Sequence, residues 1–153
     1  MIREVLDFNQ RALGIEPRIV LGFKTPAEVA FLRKALGEEG DELLLASHNI
    51  GPDGKVCTKA VAIVHQVDAC IDAAYFALGG LARLGLTQAQ AMACFMAIHE
   101  ANMTKKLGTT HRGDMGVPDG VKPPDWEGPE NKIAQFLFGH VLATLERFAK
   151  EGK

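Results

Sequence analysis

Apolar residues recur every three to four positions in five separate stretches of this chain, and no alternating pattern competes strongly for strands. The pattern predicts helices over residues 3–13, 25–47, 59–84, 87–106 and 129–150. Several boundaries carry their own signals. Thr25-Pro26-Ala27-Glu28 offers a capping threonine, a proline at the first helical position and a glutamate three residues after the cap. Thr87-Gln88-Ala89-Gln90 repeats the capping-box pattern, and Gly85 closes the helix before it. Pro52-Asp53-Gly54 marks a turn, and residues 107–128, rich in glycine and proline, read as an ordered or gated loop. The fold class predicted is all-α: a four-helix-bundle core over 25–106 with an additional C-terminal helix, all in one domain.

Two of these helices place acids where apolar residues belong. On the second, Val29, Leu32, Leu36 and Leu43 follow the spacing of one helix face. Glu39 fills the gap in that face, Glu42 adjoins it one turn on, and Asp41 is rotated towards solvent. On the third, Val61, Val64, Tyr75 and Gly79 share a face that Asp68 and Asp72 interrupt, four residues apart. This helix is apolar nearly all round and is expected to be the central one. A single acidic pair at such spacing is ordinarily a solvated face. Two pairs, each inside an apolar stripe on adjacent helices, repel one another and lose hydration unless neutralised. Lys34 and Lys59 are expected to lie too far away to do it. A divalent cation held by Glu39, Glu42, Asp68 and Asp72 answers the problem, and all-oxygen ligands favour Mg²⁺, with Mn²⁺ possible, over zinc. Glu38, beside this set, is the candidate general base, because a carboxylate close to others tends to hold its proton more tightly.

A net charge of −2 gives no bulk attraction for a nucleic-acid polymer or an acidic membrane, so any phosphate chemistry must be local. The fourth helix offers such groups: His99, Asn102 and Lys105 recur every three residues. Asn102 suits a phosphate oxygen or a ligand water, and Lys105 suits phosphate charge. Beyond it Lys105, Lys106, Arg112 and Lys122 stand against Asp114 and Asp119, a mildly basic loop near an acidic metal site, as a polyphosphate would need. Cys57, Cys70 and Cys94 form no CxxC pair and point to a reducing compartment. With no apolar leader and no long uncharged apolar run, the expectation is a cytoplasmic protein without a membrane span.

The motifs EExxE (Glu38, Glu39, Glu42), DxxxDxxY (Asp68, Asp72, Tyr75) and HEANMTK (Asn102, Lys105) together resemble the MazG-like all-α nucleoside triphosphate pyrophosphohydrolases. That superfamily includes phosphoribosyl-ATP pyrophosphohydrolases and dimeric dUTPases. The likeness covers residues 28–106, and PPDW resembles one branch more loosely. It implies a four-helix core completed by dimerisation, as a homodimer or a dimer of dimers. It also implies Mg²⁺-dependent cleavage between the α- and β-phosphates of a nucleoside triphosphate. The family pattern is ExxE followed by ExxD. Glu39, Glu42 and Asp72 match; where the remaining acid is expected stands Ala69, with Asp68 one residue earlier. Positions four apart also share a helix face, so Asp68 can take the place, and the number of ions is left open. Lys105 and Arg112 would then hold the leaving pyrophosphate.

The substrate expected is a deoxynucleoside triphosphate such as dUTP, or a non-standard nucleotide; phosphoribosyl-ATP is the alternative. A non-catalytic helical interaction module is the rival of another class, though it leaves the inward acids unexplained. A di-iron carboxylate bundle would need ExxH twice, and the chain has none. Phe8, Asn9, Gln10 and Trp126 are positions that could touch a base, with packing or surface polarity the simpler reading of each.

Overall fold

The computed structural model describes residues 2–14, 21–23, 25–111 and 118–139. In chain order these form α1 (Ile2–Leu13), α2 (Pro26–Ser47), α3 (Lys59–Arg83), α4 (Gln88–Met103), β1 (Lys106–His111), β2 (Pro118–Val121) and a helix over 130–139, here α5. The fold is all-α, as the periodicity predicts, with one short ribbon. The chain gathers into two compact units, Met1–Thr87 and Gln88–Lys153.

In the first unit α2 and α3 form an antiparallel pair. Glu28, in the first turn of α2, lies 3.8 Å from the Arg83 guanidinium at the end of α3. At the other end the Gln66 side chain donates to the Ala46 carbonyl (3.2 Å), which also accepts from the Asn49 N–H (3.1 Å). The entry to α2 follows its sequence signal: the Thr25 backbone N–H donates to the Glu28 carboxylate, 3.4 Å away. Between the helices, Asn49 turns the chain in the left-handed region (φ 58°), which asparagine tolerates, and Ile50 pairs with Val56. α1 packs on α3 through Val5, 2% exposed, and through Phe8, whose ring meets Tyr75 edge to face.

The contact between α2 and α3 differs from the expected one. The buried residues are Ala35 and Ala46 on α2 and Ala62, Ala69, Gly80 and Ala82 on α3. Small side chains let the helices approach closely, and a Cβ on Gly80 would stand 2.7 Å from Leu32 Cδ2. The bulkier stripe flanks this seam: Val29, Leu36, Leu43 and Val61 are exposed in the single chain, and Val64 is 65% exposed. Periodicity identifies faces that avoid water without saying which neighbour covers them. α3 alone among the described helices has the length and composition of a membrane span, yet it carries Asp68 and Asp72 in its middle.

In the second unit α4 stops at Met103, short of the expected boundary, so Lys105 lies beyond the helix. Its end is closed locally: the Thr104 hydroxyl donates to the Ala101 carbonyl at 2.8 Å, and the Lys105 N–H to the Asn102 carbonyl at 3.1 Å. The expected loop then contains an antiparallel ribbon pairing Lys106 with Val121, Leu107 with Gly120 and His111 with Pro118, irregular in between. Strands this short, broken by glycine and proline, leave too little alternation to read. Of the apolar face predicted for the last helix, Ile133, Phe136 and Leu137 fall on α5, while Val141 and Leu145 lie outside the described residues.

Candidate active site

Glu39 and Glu42 are half-buried on α2; Asp68 and Asp72 are exposed on α3. The acids therefore edge the α2–α3 seam and do not sit in a dry interior. They still converge. The Glu39 carboxyl is raised above its ordinary 4.5, first by loss of water and then by the negative charges of Glu42, Asp72, Asp68 and Glu38, in that order. Both acids of α3, Asp68 in its unusual register included, therefore lie within electrostatic reach of Glu39. Among the described residues no cationic side chain pairs with Glu39, Glu42, Asp68 or Asp72. Equally, no three His, Cys, Asp or Glu side chains among them stand close enough to chelate an ion as they are. The donor set is all carboxylate oxygen with surplus negative charge, which fits a hard divalent cation in chemistry.

Glu38 is exposed and is paired with Lys34 across one turn, at 3.3 Å. Lys34 reaches Glu38 because four residues is a single helical turn, and it pairs with none of Glu39, Glu42, Asp68 and Asp72. The pair is solvent-exposed and adds little to stability.

In the second unit, Asn102 is exposed on the last turn of α4. The stem of Lys105 lies against Gly120, where an added Cβ would stand 3.2 Å from Lys105 Cδ. Its ammonium is 5.7 Å from the centre of the Trp126 ring, and that of Lys122 is 4.2 Å from the same ring. The Trp126 indole N–H donates to the Ala101 carbonyl at 2.9 Å. Trp126 therefore ties the loop to the end of α4 and carries two lysines. Lys122, which sequence alone offers only as loop charge, emerges as the companion of Lys105. Glu100 and Lys132 close a salt bridge of 3.0 Å beside a cavity of about 450 Å³ under this loop. Arg112 lies outside the described residues.

A second, smaller cavity, about 60 Å³, opens among α1, α2 and α3, walled by Phe8, Asn9, Phe31, Tyr75 and Phe76. Phe31 and Phe76 meet edge to face at 6.3 Å, and the Arg83 guanidinium sits 5.4 Å over Phe31. Gln10 is exposed. Tyr75 is three residues after Asp72, so this crevice and the acids share one stretch of α3.

The family model for phosphoribosyl-ATP pyrophosphohydrolase matches residues 22–102, just over half of the chain. The chain belongs to the phosphoribosyl-ATP pyrophosphohydrolase family. That family lies within the MazG-like superfamily, so the resemblance read from the motifs holds. This family member is an enzyme, a nucleotide pyrophosphohydrolase. The match takes in all the candidate acids of α2 and α3 and ends at Asn102; α1, Lys105, the ribbon, Trp126 and α5 fall outside it. No curated protein matches the chain.

Proposed function

We propose that this enzyme hydrolyses a nucleoside triphosphate between its α- and β-phosphates, releasing nucleoside monophosphate and pyrophosphate. The substrate we propose is a deoxynucleoside triphosphate such as dUTP, or a non-standard nucleotide. The observation that carries the reading is the convergence of Glu42, Asp72, Asp68 and Glu38 on Glu39, a concentration of negative charge with no cationic partner for the inner four among the described residues. Such a site repels a triphosphate unless a divalent cation lies between them. Glu39, Glu42, Asp68 and Asp72 are the residues that would hold Mg²⁺ or Mn²⁺, which when bound neutralises phosphoryl oxygens and acidifies water.

The chain's own groups do the rest. A Glu38 carboxylate oxygen, released from Lys34, accepts the proton of the attacking water. The Asn102 amide donates to a phosphate oxygen, Lys105 supplies a point charge, and Arg112 grips the leaving pyrophosphate with its fork of N–H groups. Substrate held this way loses little further entropy on reaching the transition state.

The working form we propose is a homodimer, or a dimer of such dimers. Val64, Val67 and Ile71 on α3, and Met92, Phe95 and Met103 on α4, are all exposed in the single chain. Exposed apolar stretches of this kind, on α3 and on α4 each taken by itself, mark interaction faces. Cys57, Cys70 and Cys94 are free thiols, in keeping with a cytoplasmic setting.

Phosphoribosyl-ATP is the second reading, favoured by the family match itself. A panel of nucleoside triphosphates and phosphoribosyl-ATP, incubated with Mg²⁺ and scored for pyrophosphate against orthophosphate, separates the two. Pyrophosphate from a deoxynucleoside triphosphate is expected. Orthophosphate alone from every substrate would reject cleavage at the α–β bond.

A further inference from the structure

The ribbon of the second unit brings two lysines together. Its register pairs Lys106 with Val121 and Leu107 with Gly120, so the next step outward sets Lys105 opposite Lys122. Like charges directly opposite each other on two strands destabilise the pair. Among the described residues neither ammonium meets a carboxylate, whereas Lys34, Lys55 and Lys132 each find one at 3.3 Å or less. What the two share is Trp126: the Lys122 ammonium is 4.2 Å and the Lys105 ammonium 5.7 Å from the centre of its ring. Each cation is drawn to the ring and repelled by the other. An anion that meets both removes the repulsion.

The ring is fixed before any ligand arrives. The Trp126 indole N–H donates to the Ala101 carbonyl at 2.9 Å, and its backbone N–H donates to the Pro123 carbonyl at 2.9 Å. Trp126 and Lys105 are half-buried, and Lys122 is exposed. The bare Gly120 leaves a lane for the Lys105 stem, since a Cβ there would stand 3.2 Å from Lys105 Cδ. A lysine side chain has much rotamer freedom to lose, and a stem already held loses less of it on binding. Two point charges held as neighbours suit an anion with two adjoining charged groups better than an anion with one. A diphosphate is such an anion; orthophosphate and sulfate are not.

We propose that Lys122 is a second residue for the leaving pyrophosphate, beside Lys105, and that Trp126 is the positioning residue that holds the two ammoniums as a pair. Lys122 and Trp126 both lie beyond Asn102, where the family match ends. The inference rests on the hydrolase reading for the identity of the anion. Trp126 is the only tryptophan of the chain, so its emission reports on the site. The full chain, freed of metal with EDTA, is titrated with pyrophosphate, orthophosphate and sulfate at constant ionic strength.

Emission should change saturably with pyrophosphate, and only at about tenfold higher concentration with the other two. Calorimetry, which does not depend on the fluorophore, should show pyrophosphate binding about tenfold weaker in Lys122→Ala, the scale of losing one hydrogen bond to a charged group. Trp126→Leu keeps both lysines and should lose as much. Trp126→Phe keeps a ring face for them and should restore most of it. The proposal is overturned if Lys122→Ala binds pyrophosphate as the wild type does, if orthophosphate or sulfate binds as tightly, or if none of them binds at millimolar concentration. The positioning role is overturned if Trp126→Leu binds as the wild type does, or if the Leu and Phe variants lose binding and Tm together. Glu39→Gln separates this inference from the hydrolase reading: it should lose hydrolysis and keep the pyrophosphate response. A wild-type chain that binds pyrophosphate and cleaves no triphosphate would uphold the lysine pair and remove the hydrolase reading.

Discussion

Glu39 concentrates the chemistry of the proposed site at a single residue. Its carboxyl is raised above 4.5 by lost hydration and by four neighbouring carboxylates. A group that holds its proton more tightly in the fold than in the unfolded chain lowers stability once both forms have ionised. The metal-free enzyme should therefore gain stability as pH falls from 7 through the raised value towards 4.5, and Tm measured in EDTA at stepped pH checks this. Mg²⁺ should flatten that dependence at neutral pH, because a cation favours the ionised form. Glu39→Gln removes the repulsion without changing shape. It should raise the metal-free Tm at pH 7 and cut Mg²⁺-dependent pyrophosphate release by about a hundredfold or more, the scale of losing ~3 kcal/mol of transition-state stabilisation. Full activity in this variant would remove Glu39 from the site. The sequence made Glu39 legible because an acid interrupts an apolar stripe. It left illegible that Glu39 is half-buried while Asp68 and Asp72 are exposed, since exposure depends on the neighbouring helix.

At the scale of elements, the α2–α3 pair rests on alanines. Ala62 and Ala69 are 1% and 2% exposed, so a larger side chain at either must displace its neighbours. Ala69→Leu should destabilise the chain by ~1–3 kcal/mol, seen as a lower urea midpoint with unchanged slope. It should also weaken Mg²⁺ binding, because Asp68 and Asp72 stay within reach of Glu39 only while the helices stay close. In the second unit the only tryptophan of the chain, Trp126, ties the loop to α4 and carries Lys105 and Lys122 on its ring. Pyrophosphate drawing on those lysines should change Trp126 emission, and Lys122→Ala should reduce that change severalfold; an unaltered response would leave Lys122 as loop charge only. The helices were readable from periodicity and caps. The ribbon was not, because its pairing joins positions far apart in sequence and its strands are short.

For the molecule as a whole, the conspicuous feature is apolar surface left uncovered by the single chain. Val64 and Val67 are 65% and 58% exposed on a helix whose opposite side packs on α2. Val64→Lys should leave helical content unchanged and shift sedimentation from dimer to monomer, with activity lost alongside if the dimer completes the site. A wild-type chain sedimenting only as a monomer would exclude the homodimer. Reading α3 as the central helix captured its all-round apolar character, but among the described residues Val64, Val67 and Ile71 of α3 stay exposed.

The sequence by itself determined the helices, because period, caps and proline positions are local properties of the chain. It also determined the acids and their family, because EExxE and DxxxDxxY are readable as spacings on a helix face. Only the tertiary structure decided that small residues form the α2–α3 seam, that the acids edge it, and that Asn9 is buried beside an aromatic crevice. Those outcomes depend on which face of one helix meets which face of another. Burial and hydrogen-bond satisfaction are properties of such contacts, and no single helix carries them in its own pattern.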